Sequence, residues 1–325
     1  MKFKSLLGFA GGGVRGVVSC VWLDKLIKTG HIDLDRVDSF SGTSTGSIIT
    51  SALVKPNPFT PGELVELFKD LAKHVFKRDT WRPNWLDILI FSCPYKIKRL
   101  QEVLKSNLGD VRVGDCPKKF VIVIYDMDGR IRSTRASTIL MVHNHKSFKD
   151  KHMLDWPLYK VVAGSCAAPT YFESLRFDDG KQFRKWTDGG QVDNLSVMSN
   201  FTIFRDPYIG GETDPEEIAV LSMGNGGRWS VEYAIDNSGW RTPRRFRGAL
   251  NSIGQGNETL TYKALTAILG PRFFNLNWNY PKDVDLDGWE EVENLEKWAR
   301  DKDLSRVRAW LDGYFMHKRN TGAIS

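Results

Sequence analysis

Apolar and polar positions along this chain follow two alternating rhythms. Predominantly apolar runs at residues 5–10, 120–125 and 218–223 have the length and β-branched or aromatic content of strands buried on both faces. Between and after them, apolar residues recur at helical spacing over residues 17–28, 48–54, 62–76, 98–108, 157–168, 248–269 and 295–315. In the third of these stretches Leu64, Leu67, Phe68 and Leu71 share one face. Residues 36–40 can finish a further strand, and residues 131–138 read as another. Strands alternating with helices predict an α/β fold in three layers, with a mostly parallel central sheet flanked by helices. No linker-like stretch interrupts the pattern, so residues 1–325 read as a single domain, with a C-terminal helical extension packed on it from about residue 230.

Glycine clusters mark the points where strands give way to helices. Gly42-Thr43-Ser44-Thr45-Gly46 is a G-x-S-x-G sequence between a strand end and a helix start. A serine on such a turn is held exposed in a strained backbone that only small neighbours tolerate. The helix N-terminus favours the alkoxide and oxyanion of acyl transfer, so Ser44 is the candidate nucleophile. One βα unit earlier, Gly11-Gly12-Gly13-Val14-Arg15-Gly16 admits two readings. Its G-x-G-x-x-G spacing satisfies the dinucleotide-binding fingerprint, with Asp33 and Asp35 near the expected acidic position. Alternatively, its glycines turn several N–H groups toward one point to hold a developing negative charge, with Arg15 pinning the loop or adding positive charge. Proximity to Ser44 favours the second reading. A serine hydroxyl needs a base within hydrogen-bond reach. Asp188, in the turn Asp188-Gly189-Gly190, is one candidate and Asp193 its competitor. Of six histidines only His317 follows Asp188, and it would complete a triad in the chain order of α/β-hydrolases.

Composition narrows the class further. With 41% hydrophobic and 26% charged residues, the chain reads as globular rather than disordered. No apolar run approaches bilayer-spanning length. The short apolar stretch behind Met1 runs into glycines and reads as a strand, not a signal peptide. Cys20, Cys93, Cys116 and Cys166 show no C-x-x-C pairing, which argues against a zinc site and for reduced thiols in a cytoplasmic protein. A formal net charge of +7 suits an anionic partner. Arg241, Arg244, Arg245 and Arg247 form a basic cluster, read either as a contact for phosphates or anionic headgroups or as a solvated face. Residues 77–95, with Trp81, Trp85, Leu86 and Phe91, read as a core helix with flanking loops, the alternative being an apolar lid or membrane-facing segment. His143 and His145 read as solvated loop residues, since no carboxylate or cysteine accompanies them to bind a metal.

Taken in order, these motifs resemble the patatin-like phospholipase family. The loop from Gly11 to Gly16 resembles its oxyanion loop, G-G-G-x-R-G, and Gly42 to Gly46 its nucleophile elbow. The small-residue segment 163–172 looks like the stretch ending in A-A-P-x-Y-F. Asp188-Gly189-Gly190 is similar to its D-G-G/A motif, and residues 221–226 to its L-S-x-G-T-G strand end. Two positions depart: Ala10 stands where many members have aspartate, and Asn225 replaces the usual threonine. The resemblance implies a lipid acyl hydrolase of phospholipase A or lysophospholipase type, built on a serine–aspartate dyad. Ser44 would attack the ester and Asp188 act as general base, with Gly11, Gly12, Gly13 and Arg15 as the oxyanion hole. It implies no cofactor or metal, a phospholipid or lysophospholipid substrate, and no nucleic-acid polymer as partner. A cytoplasmic location with transient contact to a membrane surface follows. Some bacterial members are switched on by cyclic nucleotides or partner proteins, so an activating ligand or protein fits the resemblance, with the arginine cluster as its place. The contrasting expectation is a nucleotide- or lipid-binding module that uses the Gly11 to Gly16 loop without turnover.

Overall fold

The computed structural model describes residues 3–76, 93–128, 130–131, 134–135, 137–146, 151–209, 211, 213–226 and 243–315. The tryptophan-rich stretch 77–92, the side chains of the Arg241, Arg244, Arg245 and Arg247 cluster, and His317 lie outside the described residues and side chains.

The strands are β1 (Lys4–Phe9), β2 (Ser39–Thr43), β3 (Phe120–Asp126), β4 (Arg130–Ile131), β5 (Thr134–Arg135), β6 (Thr138–His143), β7 (Leu175–Asp178), β8 (Phe183–Asp188), β9 (Ile218–Met223) and β10 (Phe273–Leu276). Strands β10, β9, β1, β2 and β3 run parallel in that spatial order. Antiparallel β6 covers one edge of β3, and β8 pairs with β3 and with β7. The helices are α1 (Gly16–Lys28), α2 (Thr45–Val54), α3 (Pro61–Val75), α4 (Ile97–Leu108), α5 (Leu158–Ser165), α6 (Val197–Arg205), α7 (Pro243–Leu269), α8 (Val292–Asp301) and α9 (Ser305–Trp310).

Successive residues of a strand point to opposite faces, and here both faces are covered. Leu7 and Phe9 of β1, with Leu221 and Met223 of β9, join the larger core, which also holds Trp22, Leu26, Ile49 and Leu53. Leu6, Ile218 and Val220 face the other way, into a smaller core with Val197, Phe201, Leu265 and Leu269. The expected three-layer α/β architecture, mostly parallel, is therefore the one observed. Helix α3 starts where its sequence says it should: Thr60 caps it in a reciprocal box with Glu63, and Pro61 occupies the first turn.

Several boundaries differ from the sequence expectation. The strand expected over 36–40 runs instead over Ser39–Thr43, because residues 34–36 form a turn capped by Asp33. The helix expected from residue 48 begins at Thr45, its polar first turn being invisible to apolar periodicity. The stretch 131–138 is not one strand; β4 and β5 form a short hairpin and β6 begins at Thr138. His143 and His145 are buried rather than solvated, and the His145 imidazole is pushed down to about 3 by burial and by nearby His143 and Lys119. The helix expected over 295–315 breaks at residues 302–304, where Asp303 caps the amide of Ser305. The C-terminal third also contributes a strand: β10 pairs with β9, Phe273 opposite Val220 and Leu276 opposite Met223.

Candidate active site

The sheet brings Ser44 and Asp188 together through one strand edge. Val123 of β3 pairs with Thr43, the last residue of β2. The next residue, Ile124, pairs with Asp188, the last residue of β8. Since β6 occupies the opposite edge of β3, β2 and β8 lie end to end along a single edge. Ser44 and the Asp188 carboxylate meet at that junction.

Ser44 takes φ 52° and ψ −127° as the chain turns from β2 into α2. Its amide donates to Ser165 Oγ (3.0 Å), and that hydroxyl donates to Val123 O (2.7 Å). Its carbonyl accepts from the Ser47 amide (2.8 Å) and hydroxyl (2.6 Å). The flanking glycines are steric requirements. A Cβ on Gly42 would lie 2.2 Å from Gly46 O, and one on Gly46 would lie 2.0 Å from Phe9 O.

Asp188 is buried, and its Oδ1 accepts from the Gly190 amide at 2.7 Å. Burial pushes its carboxyl up to about 6, while hydrogen bonds from Gly190 and from the Ser44 hydroxyl draw it back. At neutral pH it is mostly ionised, and it is a better proton acceptor than an ordinary aspartate. Asp193 is occupied elsewhere. Its carboxylate accepts from Ser196 N (3.1 Å), Ser199 N (2.9 Å) and Ser199 Oγ (2.7 Å), capping the start of α6.

The glycine loop lies directly against the serine, for a Cβ on Gly11 would sit 2.9 Å from Ser44 Cβ. Gly11 N donates to Asn194 O (3.1 Å), Gly12 N to Thr45 Oγ1 (3.1 Å) and Val14 N to Leu286 O (2.9 Å). Among the described residues the Gly13 amide has no acceptor. Arg15 Nε donates to Gly12 O (3.1 Å), which pins the loop. Asn225 Nδ2 donates to Ala10 O (3.2 Å) and Gly11 O (2.6 Å), so the asparagine that departs from the family pattern braces this same loop. The dinucleotide alternative loses its acidic partner: Asp33 and Asp35 lie before β2, at the opposite strand end from Ser44, and Asp35 is held by Lys118 (2.8 Å).

Three supports escaped sequence reasoning. Ser165 sits in the small-residue segment, and Asn194 lies six residues past Asp188, so both had weak local signals. Glu258, on α7, accepts a hydrogen bond from Asn194 and had none. Among the described residues, no group of three His, Cys, Asp or Glu side chains is placed to hold a metal, and no helix is long and apolar enough to cross a membrane.

A family model described as patatin-like phospholipase matches residues 7–201. Patatin-like protein 2 of rice (Oryza sativa subsp. indica) is 27% identical over 272 residues, covering 74% of this chain and 65% of that protein. Patatin-like protein 4 of Arabidopsis thaliana is 26% identical over 261 residues, covering 73% and 63%. The chain thus spans less than two thirds of the length of either relative. Among solved structures, VipD from Legionella pneumophila overlaps 92% of this chain and 67% of its own, at 13% identity and a TM-score of 0.42. Human GIVD cytosolic phospholipase A2 overlaps 96% and 63%, at 11% identity and a TM-score of 0.44.

Proposed function

This chain belongs to the patatin-like phospholipase family, and from that premise we propose that it is a lipid acyl hydrolase working through an acyl-enzyme on Ser44. One observation carries the reading: the junction on β3 that sets a strained, helix-capping serine against a buried aspartate with a raised pKa. Ser44 Oγ attacks the ester carbonyl carbon while Asp188 takes its proton. The carbonyl oxygen becomes an oxyanion, received by the unengaged Gly13 amide and the N-terminal end of α2, with the Gly12 amide close by. Arg15 acts by holding the loop through Gly12 O. Collapse expels the alcohol, which leaves with the proton from Asp188, and the acyl group remains on Ser44. Water then attacks, Asp188 takes its proton, and the fatty acid departs as Ser44 Oγ regains its hydrogen.

The substrate we assign is a phospholipid or lysophospholipid, cleaved as by a phospholipase A or lysophospholipase. Residues 1–325 act as one catalytic unit, cytoplasmic and in transient contact with a membrane surface, where such an ester is found. Labelling with a fluorophosphonate tests the reading on wild type, Ser44→Ala and Asp188→Ala, with fatty-acid release from mixed phospholipid vesicles followed in parallel. Labelling at Ser44 alone, with hydrolysis lost in both variants, is the expected result. A folded wild type that neither labels nor hydrolyses would sink it and leave a binding module.

A further inference from the structure

Helix α7 lies beyond the stretch 7–201 matched by the family model, yet it touches both halves of the site. Its Gly254 backs onto the aspartate turn, where a Cβ would lie 3.7 Å from Gly190 O. Asn257 Nδ2 donates to Gln191 O (2.6 Å), holding the end of that turn. The adjacent Glu258 accepts through Oε1 from Asn194 Nδ2.

Asn194 is the hinge of the arrangement. Its Nδ2 also donates to Gly11 O (3.2 Å), and its carbonyl accepts from the Gly11 amide (3.1 Å). Its Oδ1 is wedged between the two halves: it would lie 2.4 Å from a Cβ on Gly11 and 2.8 Å from one on Gly190. An amide group has donors on one side only. Turned over, Asn194 would set its oxygen against both Glu258 Oε1 and Gly11 O, two acceptor–acceptor contacts. The glutamate and the Gly11 carbonyl therefore decide together which way the amide faces.

We infer that Glu258 is a positioning residue for the hydrolysis proposed above: through Asn194 it fixes the glycine loop against Ser44, and together with Asn257 it makes α7 the clamp that spaces this loop from the Asp188 turn. The inference rests on the hydrolase reading. Glu258 holds Asn194 through an acceptor oxygen, which a glutamine also supplies, while its charge faces Arg15 of the same loop. A glutamine variant therefore separates the two contributions, and a route through Asn194 predicts that it serves. Loosening the loop weakens contacts made to the oxyanion and leaves binding of the acyl chain alone, so kcat should fall while KM stays.

The test uses the full chain, with p-nitrophenyl butyrate as a soluble ester and fluorophosphonate labelling of Ser44 read first. Glu258→Ala should lower kcat about 10- to 100-fold with KM changed less than about threefold, and the melting temperature should stay within a few degrees. Glu258→Gln should keep kcat within about threefold of wild type. Should Glu258→Ala not fold, Glu258→Asp, which withdraws the acceptor by one methylene, must show the same kcat loss. The inference is overturned if kcat of Glu258→Ala (or its Asp substitute) stays within about twofold of wild type, or if Glu258→Gln is equally impaired. A wild type that labels and hydrolyses beside an unimpaired Glu258→Ala removes the positioning role alone. A wild type that does neither removes the hydrolase reading, and this inference with it.

Discussion

A residue that carries a side chain occupies the φ 52°, ψ −127° region of Ser44 at a cost of about 1–3 kcal/mol. Ser44→Gly should therefore abolish ester hydrolysis and stabilise the fold by about 1 kcal/mol in urea unfolding, whereas Ser44→Ala should abolish hydrolysis and keep the strain. An alanine variant more stable than the glycine variant would mean the turn is not strained. Asp188 carries a second conflict between activity and stability. Its folded carboxyl keeps a proton up to about pH 6, while an unfolded aspartate releases it near about 3.9. The native state binds more protons in that window, so this group's contribution to stability is present below about pH 4 and lost as pH rises through about 6. Asp188→Asn should remove that slope and gain on the order of 1–3 kcal/mol at pH 7, with hydrolysis lost. For wild type, kcat/KM should climb about tenfold per pH unit below 6 and level off above it. A profile flat from about pH 4.5 to 6.5 would assign the base to another group.

At the scale of elements, two glycines should respond oppositely to the same change. Gly46→Ala sets a methyl 2.0 Å from Phe9 O, a backbone atom of the central strand, and should destabilise by more than about 3 kcal/mol. Gly254→Ala meets nothing nearer than 3.7 Å among the described residues in mid-helix and should stabilise by about 0.5–1 kcal/mol. Thermal melts of both variants check the pair, and equal losses would refute the packing described at α7. The contrast also shows what the sequence could reveal. β3 and β9 were legible because burial on both faces leaves each a single polar position, Asp126 and Ser222, in an otherwise apolar or aromatic run. Ser44, Asp188 and the glycine loop were legible because sharp turns demand small residues in recognisable spacings. β2 was half hidden, since Ser39, Ser41 and Thr43 are buried polar residues. Their hydroxyls are satisfied by Asn200 (2.7 Å), Ser196 (3.0 Å) and the carbonyl of Asp193 (2.7 Å), all distant in sequence. β10, four residues long, is too short for periodicity to register. Glu258 meets its partner across 64 positions of chain, and no local pattern announces a contact of that range.

Across the whole molecule, the C-terminal third is woven into the sheet that carries the site. β10 covers the edge of β9, Leu286 O receives the Val14 amide of the glycine loop, and Phe315 O accepts from Ser5 Oγ of β1 (2.7 Å). A fragment ending at residue 226 would expose the β9 edge and one face of the smaller core. It should show no cooperative unfolding by circular dichroism and no fluorophosphonate labelling; a folded, reactive fragment would place the catalytic unit within residues 1–226. The seating of Thr43 and Asp188 on consecutive residues of β3 has a further consequence. The backbone gap between nucleophile and base is counted in residues of a ladder. A slip of one residue shifts a strand by about 3.3 Å and turns its carboxylate to the opposite face, so the pair has no intermediate spacing to occupy. A change of register can keep this pair or break it but cannot detune it by degrees. Gradual change in rate is left to the loop that receives the oxyanion and to the dryness around Asp188.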